Sequence, residues 1–292
     1  MIYRLKHRTT YRYEASSDFA QCVLRLTPVS SARQTVLESA ITVTPAPAAR
    51  RSHRGPFGEE ALSVTIDAPH RVLTIEARAR VEVHAQAAPS LFGSPSWEAV
   101  RAFAYASADL GPDGPATYLY PTQRTPLDGQ ITDYARTSFP EGRPILEAAS
   151  DLMRRIQADF AYDPRATDVS TPAAQAFAAR RGVCQDFAHV MISGLRGLGL
   201  PAAYVSGYLR TIPPPGKPRL QGADATHAWA AVWCGDDLGW IGFDPTNGVL
   251  AQNDHIVLAT GRDYADVPPI EGVILTPGAQ TLTVEVDVIP ER

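Results

Sequence analysis

The chain has 292 residues, 45% of them hydrophobic, and a formal net charge of −4. That length and apolar content supply a large core, most naturally divided between two domains, and the small charge gives no bulk attraction towards nucleic acid or a membrane surface. The opening residues lack an apolar signal core and no later run is long and uncharged enough to span a bilayer, so a cytoplasmic protein is expected.

Residues 1–90 read as an N-terminal β domain. Tyr3, Leu5, Tyr11 and Tyr13 alternate with Arg4, Lys6, Arg8 and Arg12, which gives an opening strand with one apolar and one basic face. The basic stripe reads as a solvated face rather than as a grip for an anionic partner. Residues 36–43 and 62–66 supply further strands, residues 73–84 alternate almost without fault, and Pro45, Pro47 and Gly55-Pro56 supply breaks. An antiparallel sandwich is the simplest product. Residues 91–143 form an irregular connector with short helical stretches, such as 97–106, that packs on both domains. A core follows over residues 144–270. Pro144 opens a helix with Ile145, Ala149, Leu152, Met153, Ile156 and Phe160 on one face. Thr171 is the expected N-cap of the next helix, which has Pro172 at its first position and ends at Gly182.

Cys184 stands directly after that break. Phe187, Ala188, Met191, Ile192, Leu195 and Leu198 recur at steps of three and four, and Gly199 and Pro201 stop the pattern, so Cys184 lies at a helix N-terminus. Free N–H groups and the positive dipole end there favour the nucleophilic thiolate. Cys22, Cys184 and Cys234 are widely spaced, odd in number and lack a Cys-x-x-Cys pair, so free thiols are expected. Downstream, residues 225–233 and 240–245 read as two strands around the turn 234–239. Pairing Trp233 with Trp240 sets His227 diagonally beside Asp244, and a shift of two residues sets them directly opposite. In either register the imidazole and the carboxylate share a face.

Gly182-Val183-Cys184-Gln185-Asp186-Phe187-Ala188-His189, Tyr204-Val205-Ser206-Gly207-Tyr208, His227-Ala228-Trp229 and Gly242-Phe243-Asp244-Pro245-Thr246-Asn247 resemble the core motifs of bacterial transglutaminase-like proteins. Residues 3–13, 24–28 and 69–71 are similar to that family's N-terminal domain, and residues 261–269 to its C-terminal segment. The resemblance implies an α+β fold: an antiparallel β-sandwich-like domain, then a papain-like, transglutaminase-like core with a nucleophile at a helix N-terminus and His and Asp on an antiparallel sheet. It implies Cys184 as nucleophile, His227 as general base and acid, and Asp244 as the orienting acid. The closing segment, 271–292, alternates again and is expected to return to the N-terminal sheet.

The chemistry expected is acyl transfer through a thioester on a peptide, isopeptide or other amide substrate, without a cofactor or metal and without nucleic-acid or membrane partners. Hydrolysis is favoured; transfer to an amine, or a non-catalytic binding module, are the alternatives. The backbone N–H of Cys184 is one oxyanion donor, Gln185 and Tyr208 are candidates for the second, and Trp229 is a candidate pocket wall. A zinc site from Cys184, His227 and Asp244 is conceivable, but the same trio suits nucleophilic catalysis. His189, five residues beyond Cys184 on the same helix, is turned away from the thiol, and His255 is read as structural. The proline-rich stretch 211–218 suits a specificity loop or a plain connector equally. Oligomeric state is left open.

Overall fold

Period-two alternation builds both ends of the chain. The computed structural model describes residues 1–85, 89–211 and 225–291. It opens with β1 (Ile2–Ser17), β2 (Phe19–Thr27), β3 (Gln34–Thr44), β4 (Ala49–Arg54), β5 (Glu60–Ile66) and β6 (His70–Val83). Helices α1 (Trp97–Ala106), α2 (Gly129–Arg136) and α3 (Ile145–Asp159) follow, then β7 (Ala161–Tyr162), α4 (Ala173–Ala179), β8 (Arg181–Gly182) and α5 (Cys184–Gly197). The core sheet is made by β9 (Ala202–Leu209), β10 (Ala225–Trp233), β11 (Trp240–Asp244), β12 (Val249–Leu250) and β13 (His255–Gly261), and the chain closes with β14 (Ile270–Leu275) and β15 (Gln280–Pro290).

Two four-stranded sheets, β15-β1-β6-β3 and β14-β2-β5-β4, form the sandwich. Tyr13, Leu24, Val64, Ile66, Leu73 and Ile75 fill it. The last strand returns the length of the first, in antiparallel register from Tyr3 opposite Pro290 to Tyr13 opposite Gln280. The basic stripe of β1 is answered by acids: Arg8 Nε lies 2.8 Å from Glu76 and Arg4 Nε 3.4 Å from Glu291.

In the second part of the chain the helices gather around α5. Every residue from Gln185 to Arg196 is buried, so this helix is enclosed on all sides rather than along one stripe. Its polar residues are satisfied inside: Ser193 Oγ donates to the Pro126 carbonyl at 2.7 Å, and the Arg196 guanidinium donates to the carbonyls of Tyr118, Ala202 and Arg262 and to Thr125 Oγ1. Trp97, Val100 and Ala104 of α1 and Ile131 and Ala135 of α2 join the same apolar cluster. The stretch that reads as a connector is therefore part of the helical layer. Among the described residues no helix is long and apolar enough to cross a membrane.

The approach to α5 differs from the sequence reading. Helix α4 begins after Pro172, without a side-chain cap, because Thr171 Oγ1 turns back to accept from the Asp168 N–H at 3.0 Å. The helix also stops short of Gly182. Arg180 takes the left-handed conformation, φ 52°, with its guanidinium 4.0 Å from the centre of the Phe177 ring and 4.8 Å from that of Phe160. The stacking holds the chain out of the helix, and Arg181 and Gly182 pair in parallel with Ala161 and Tyr162 instead.

The core sheet runs β12-β11-β10-β9-β13. Strands β10 and β11 pair with Trp233 opposite Trp240 and Ala230 opposite Phe243, the first of the two registers the sequence allows. Ala228, Ala230 and Val232 pack in the α5 cluster, whereas Trp229 and Ala231 lie with Val205 and Tyr118 in a separate cluster.

Candidate active site

The start of α5 is tied down by Asp186. Its Oδ2 accepts from the Val183 N–H at 2.7 Å and from Thr167 Oγ1 at 2.6 Å, so the third helical residue reaches back to the N-cap. This folding-back needs Gly182, where an added Cβ would lie 2.5 Å from Asp186 Oδ2. Cys184 is thereby fixed as the first residue of the helix, half-buried and outside any disulfide, while Cys22 and Cys234 are buried. The backbone N–H of Cys184 has no acceptor among the described residues.

Strand β10 brings His227, and the end of β11 brings Asp244. Asp244 is fully buried and accepts five hydrogen bonds. The N–H groups of Thr246 and Asn247 reach Oδ1 at 3.0 and 3.2 Å, an Asx-type turn that Asp-Pro-Thr-Asn is built to make. His227 Nε2 at 2.8 Å, His255 Nε2 at 3.1 Å and Asn247 Nδ2 at 2.7 Å reach Oδ2. Burial alone would raise the carboxyl pKa, but the hydrogen bonds from His227 and His255 outweigh it and hold the group well below the usual carboxylate range. His227 shows the complementary balance. Burial pulls its pKa down, yet its hydrogen bonds to Asp244 and to the Cys184 sulfur carry it up to about 10. With Nε2 taken by Asp244, Nδ1 is the nitrogen left for the thiol.

The remaining candidates divide. Trp229 is 5.1 Å from His255, edge to face, and 6.1 Å from His227, measured between ring centres. Its indole fits because residue 207 is glycine, where a Cβ would lie 2.6 Å from the ring. Gln185 follows Cys184 in the chain and gives one amide hydrogen to the Val169 carbonyl at 3.2 Å. Tyr208 is a correction: its hydroxyl is 2.9 Å from His7 Nδ1, in the seam where Tyr3, Leu5 and Val288 pack on the core sheet, so it is occupied there and not at the thiol. His189 is fully buried, accepts from the Tyr264 N–H at 3.2 Å and is held neutral, its pKa lowered to about 4 by burial. Of the stretch 211–218, residues 212–218 lie outside the described residues.

His255 and Asn247 are the site residues that sequence reading missed as participants. His255 Nδ1 accepts from the Gln252 N–H at 3.3 Å, which puts the ring hydrogen on Nε2, facing Asp244. The same contact bears on metal binding. The donor atoms of His227, Asp244 and His255 lie within 4.8 Å of one another, a spacing a metal could use. A metal would need the Nε2 lone pair of His255, where the Gln252 contact places a hydrogen, and Asp244 Oδ2 already serves three N–H donors. These residues fit a hydrogen-bonded relay better than a metal centre.

Residues 3–82 match the bacterial transglutaminase-like N-terminal region, and residues 132–245 match the transglutaminase-like superfamily. A relative in Mycobacterium tuberculosis, described as uncharacterised, is 42% identical over 298 residues, covering 99% of this chain and 92% of its own. The chain belongs to the bacterial transglutaminase-like family. A candidate cysteine protease from Cytophaga hutchinsonii shares the family fold, with a TM-score of 0.75 over 100% of this chain and 92% of that one at 19% identity. A protein-glutamine gamma-glutamyltransferase of Pseudomonas aeruginosa is 30% identical over 151 residues, 44% of this chain and 22% of that protein.

Proposed function

We propose that the protein hydrolyses a peptide, isopeptide or other amide bond through a thioester on Cys184. The observation that carries this reading is His227, hydrogen-bonded through Nε2 to the buried Asp244 at 2.8 Å, with its pKa raised by that carboxylate and by the Cys184 thiol. Cys184, as the first residue of α5, is the nucleophile, and its proton goes to His227. The thiolate attacks the amide carbonyl, and the oxyanion forms at the unoccupied Cys184 N–H, with Gln185 as the candidate second donor. As the C–N bond breaks, His227 Nδ1–H gives its proton to the leaving amine and the acyl group remains on sulfur. The neutral imidazole then takes a proton from water, hydroxide adds to the thioester carbonyl, and expulsion of the thiolate releases the acid and restores the imidazolium. Asp244 keeps the ring in one tautomer and stabilises its charge. The free thiols suit the reducing cytoplasm as the working compartment.

Transfer of the acyl group to an amine is the second reading, favoured by the similarity to the Pseudomonas aeruginosa transferase. A hydrolase needs to admit only water to the thioester, whereas a transferase must bind the amine. Mass spectrometry of products formed with millimolar amounts of a lysine analogue separates them. The free acid should dominate; a predominantly amine-linked product would overturn hydrolysis and leave the three roles in place.

A further inference from the structure

A cleft of about 630 Å³ opens between the sandwich and the face of the core sheet that carries Trp229. That size is in the range of small-molecule sites. Its walls are aromatic: Trp240 and Tyr118 meet edge to face at 5.0 Å, Phe57 lies 6.2 Å from Tyr118, and Trp229 and His255 line it as well. Cys184 and His227 are not among its lining residues.

One arginine in this cleft stands apart from its charged neighbours. Arg33, on the loop between β2 and β3, donates from Nη2 to the carbonyl of Ala251 and has no carboxylate partner among the described residues. Burial lowers its pKa. Its charged neighbours in the cleft are better matched. Arg54 is paired with Glu60 at 3.1 Å, and Glu59 lies 3.6 Å from Arg25 and accepts from the Phe57 N–H at 3.1 Å. Asp113 is exposed. The arginine is also fixed from behind, because the next residue, Gln34, bridges to β13 through Val257, accepting from its N–H at 2.9 Å and donating to its carbonyl at 2.8 Å. A half-buried guanidinium, held in place, with most of its N–H donors unspent and an apolar wall beside it, is a receptor for a planar anion.

We propose that this cleft is a second ligand site, which takes a small organic carboxylate with its charged end on Arg33 and its apolar body against Trp229, Trp240 and Tyr118. The planar fork of Arg33 matches a carboxylate in geometry. The proposal does not depend on the reaction at Cys184.

Tryptophan fluorescence of the full chain, titrated with 3-phenylpropionate and with the uncharged 3-phenylpropanol, tests it. Neither probe contains an amide, so turnover cannot interfere. The acid should bind saturably and about 10- to 100-fold more tightly than the alcohol, the value of a charge-assisted hydrogen bond. Arg33→Gln should abolish that difference and Arg33→Lys should keep part of it. Equal binding of acid and alcohol to the unaltered protein, no saturable change up to about 10 mM acid, or a preference that survives Arg33→Gln in a folded variant would each overturn the proposal. The comparison of the two probes on the unaltered protein decides the matter even if the variants fail to fold.

Discussion

His227 is charged because two partners outweigh its burial, and the direction of that shift fixes how the protein should respond to pH. The proposed acid is the imidazolium, so it is present at neutral pH and is lost as pH rises through about 10. The alkaline limb of kcat should fall there, and an alkaline limb near the ordinary imidazole value of 6.5 would contradict the assignment. The same shift stabilises the fold: a pKa raised from 6.5 to about 10 contributes fully below 6.5 and fades as pH rises through about 10. Asp244 behaves oppositely, contributing above the ordinary carboxylate range and losing its contribution as pH falls through its depressed pKa. Asp244→Asn should fold and lower turnover by up to about 10⁴, as in hydroxyl triads. Near-native turnover of that variant on a verified substrate would remove Asp244 from the mechanism. Cys184, His227 and Asp244 were legible in sequence because each sits at the end of a strongly patterned element. His255 was not: it lies 11 residues past Asp244 among turn residues and reaches the carboxylate only because β13 crosses over to pair with β9.

At the scale of elements, α5 and the β10–β11 hairpin could be read from pattern, since Trp233 and Trp240 mark the two sides of one turn. The entry to α5 could not. Local rules favoured Thr171 as a cap and Gly182 as a stop, but Asp168 competes for the threonine and the aromatic stack on Arg180 ends the helix early. The enclosure of α5 was likewise hidden, because its periodicity shows the apolar stripe and not the partners found by Asp186, Ser193 and Arg196. The close approach at Gly182 gives a test. Gly182→Ala sets a Cβ 2.5 Å from Asp186 Oδ2, so the cap bond to Val183 must lengthen or break. The variant should lose about 1–2 kcal/mol, the value of an N-cap, and a larger share of its turnover than its Tm loss explains, because Cys184 is displaced with the helix start. Unchanged unfolding and unchanged turnover would show that the cap does not hold the nucleophile.

For the whole molecule, the sandwich and the core are closed by the last strand. Val286 and Val288 are buried in a cluster with Tyr3 and Leu5 of β1 and with Tyr208, Ile256 and Leu258 of the core sheet. Removing residues 280–292 exposes those side chains and leaves β1 as an unpaired edge. The truncated chain should lose about 3 kcal/mol or more from the two valines alone and become prone to association. Denaturant unfolding with light scattering measures both, and an unaltered midpoint would show that the seam does not hold the molecule together. Alternation in residues 281–288 made a returning strand readable, but the cleft beside Arg33 was not readable, because its walls come from stretches far apart in the chain.

The central claim, a thioester on Cys184, is tested most directly by intact-mass and peptide-level mass spectrometry of the enzyme quenched in acid during turnover of an amide substrate. The account predicts a mass increase equal to the acyl group, located on the peptide that contains Cys184, absent from Cys184→Ala and cleared as the free acid appears. Acylation of a different residue, or continued turnover by Cys184→Ala, would contradict it.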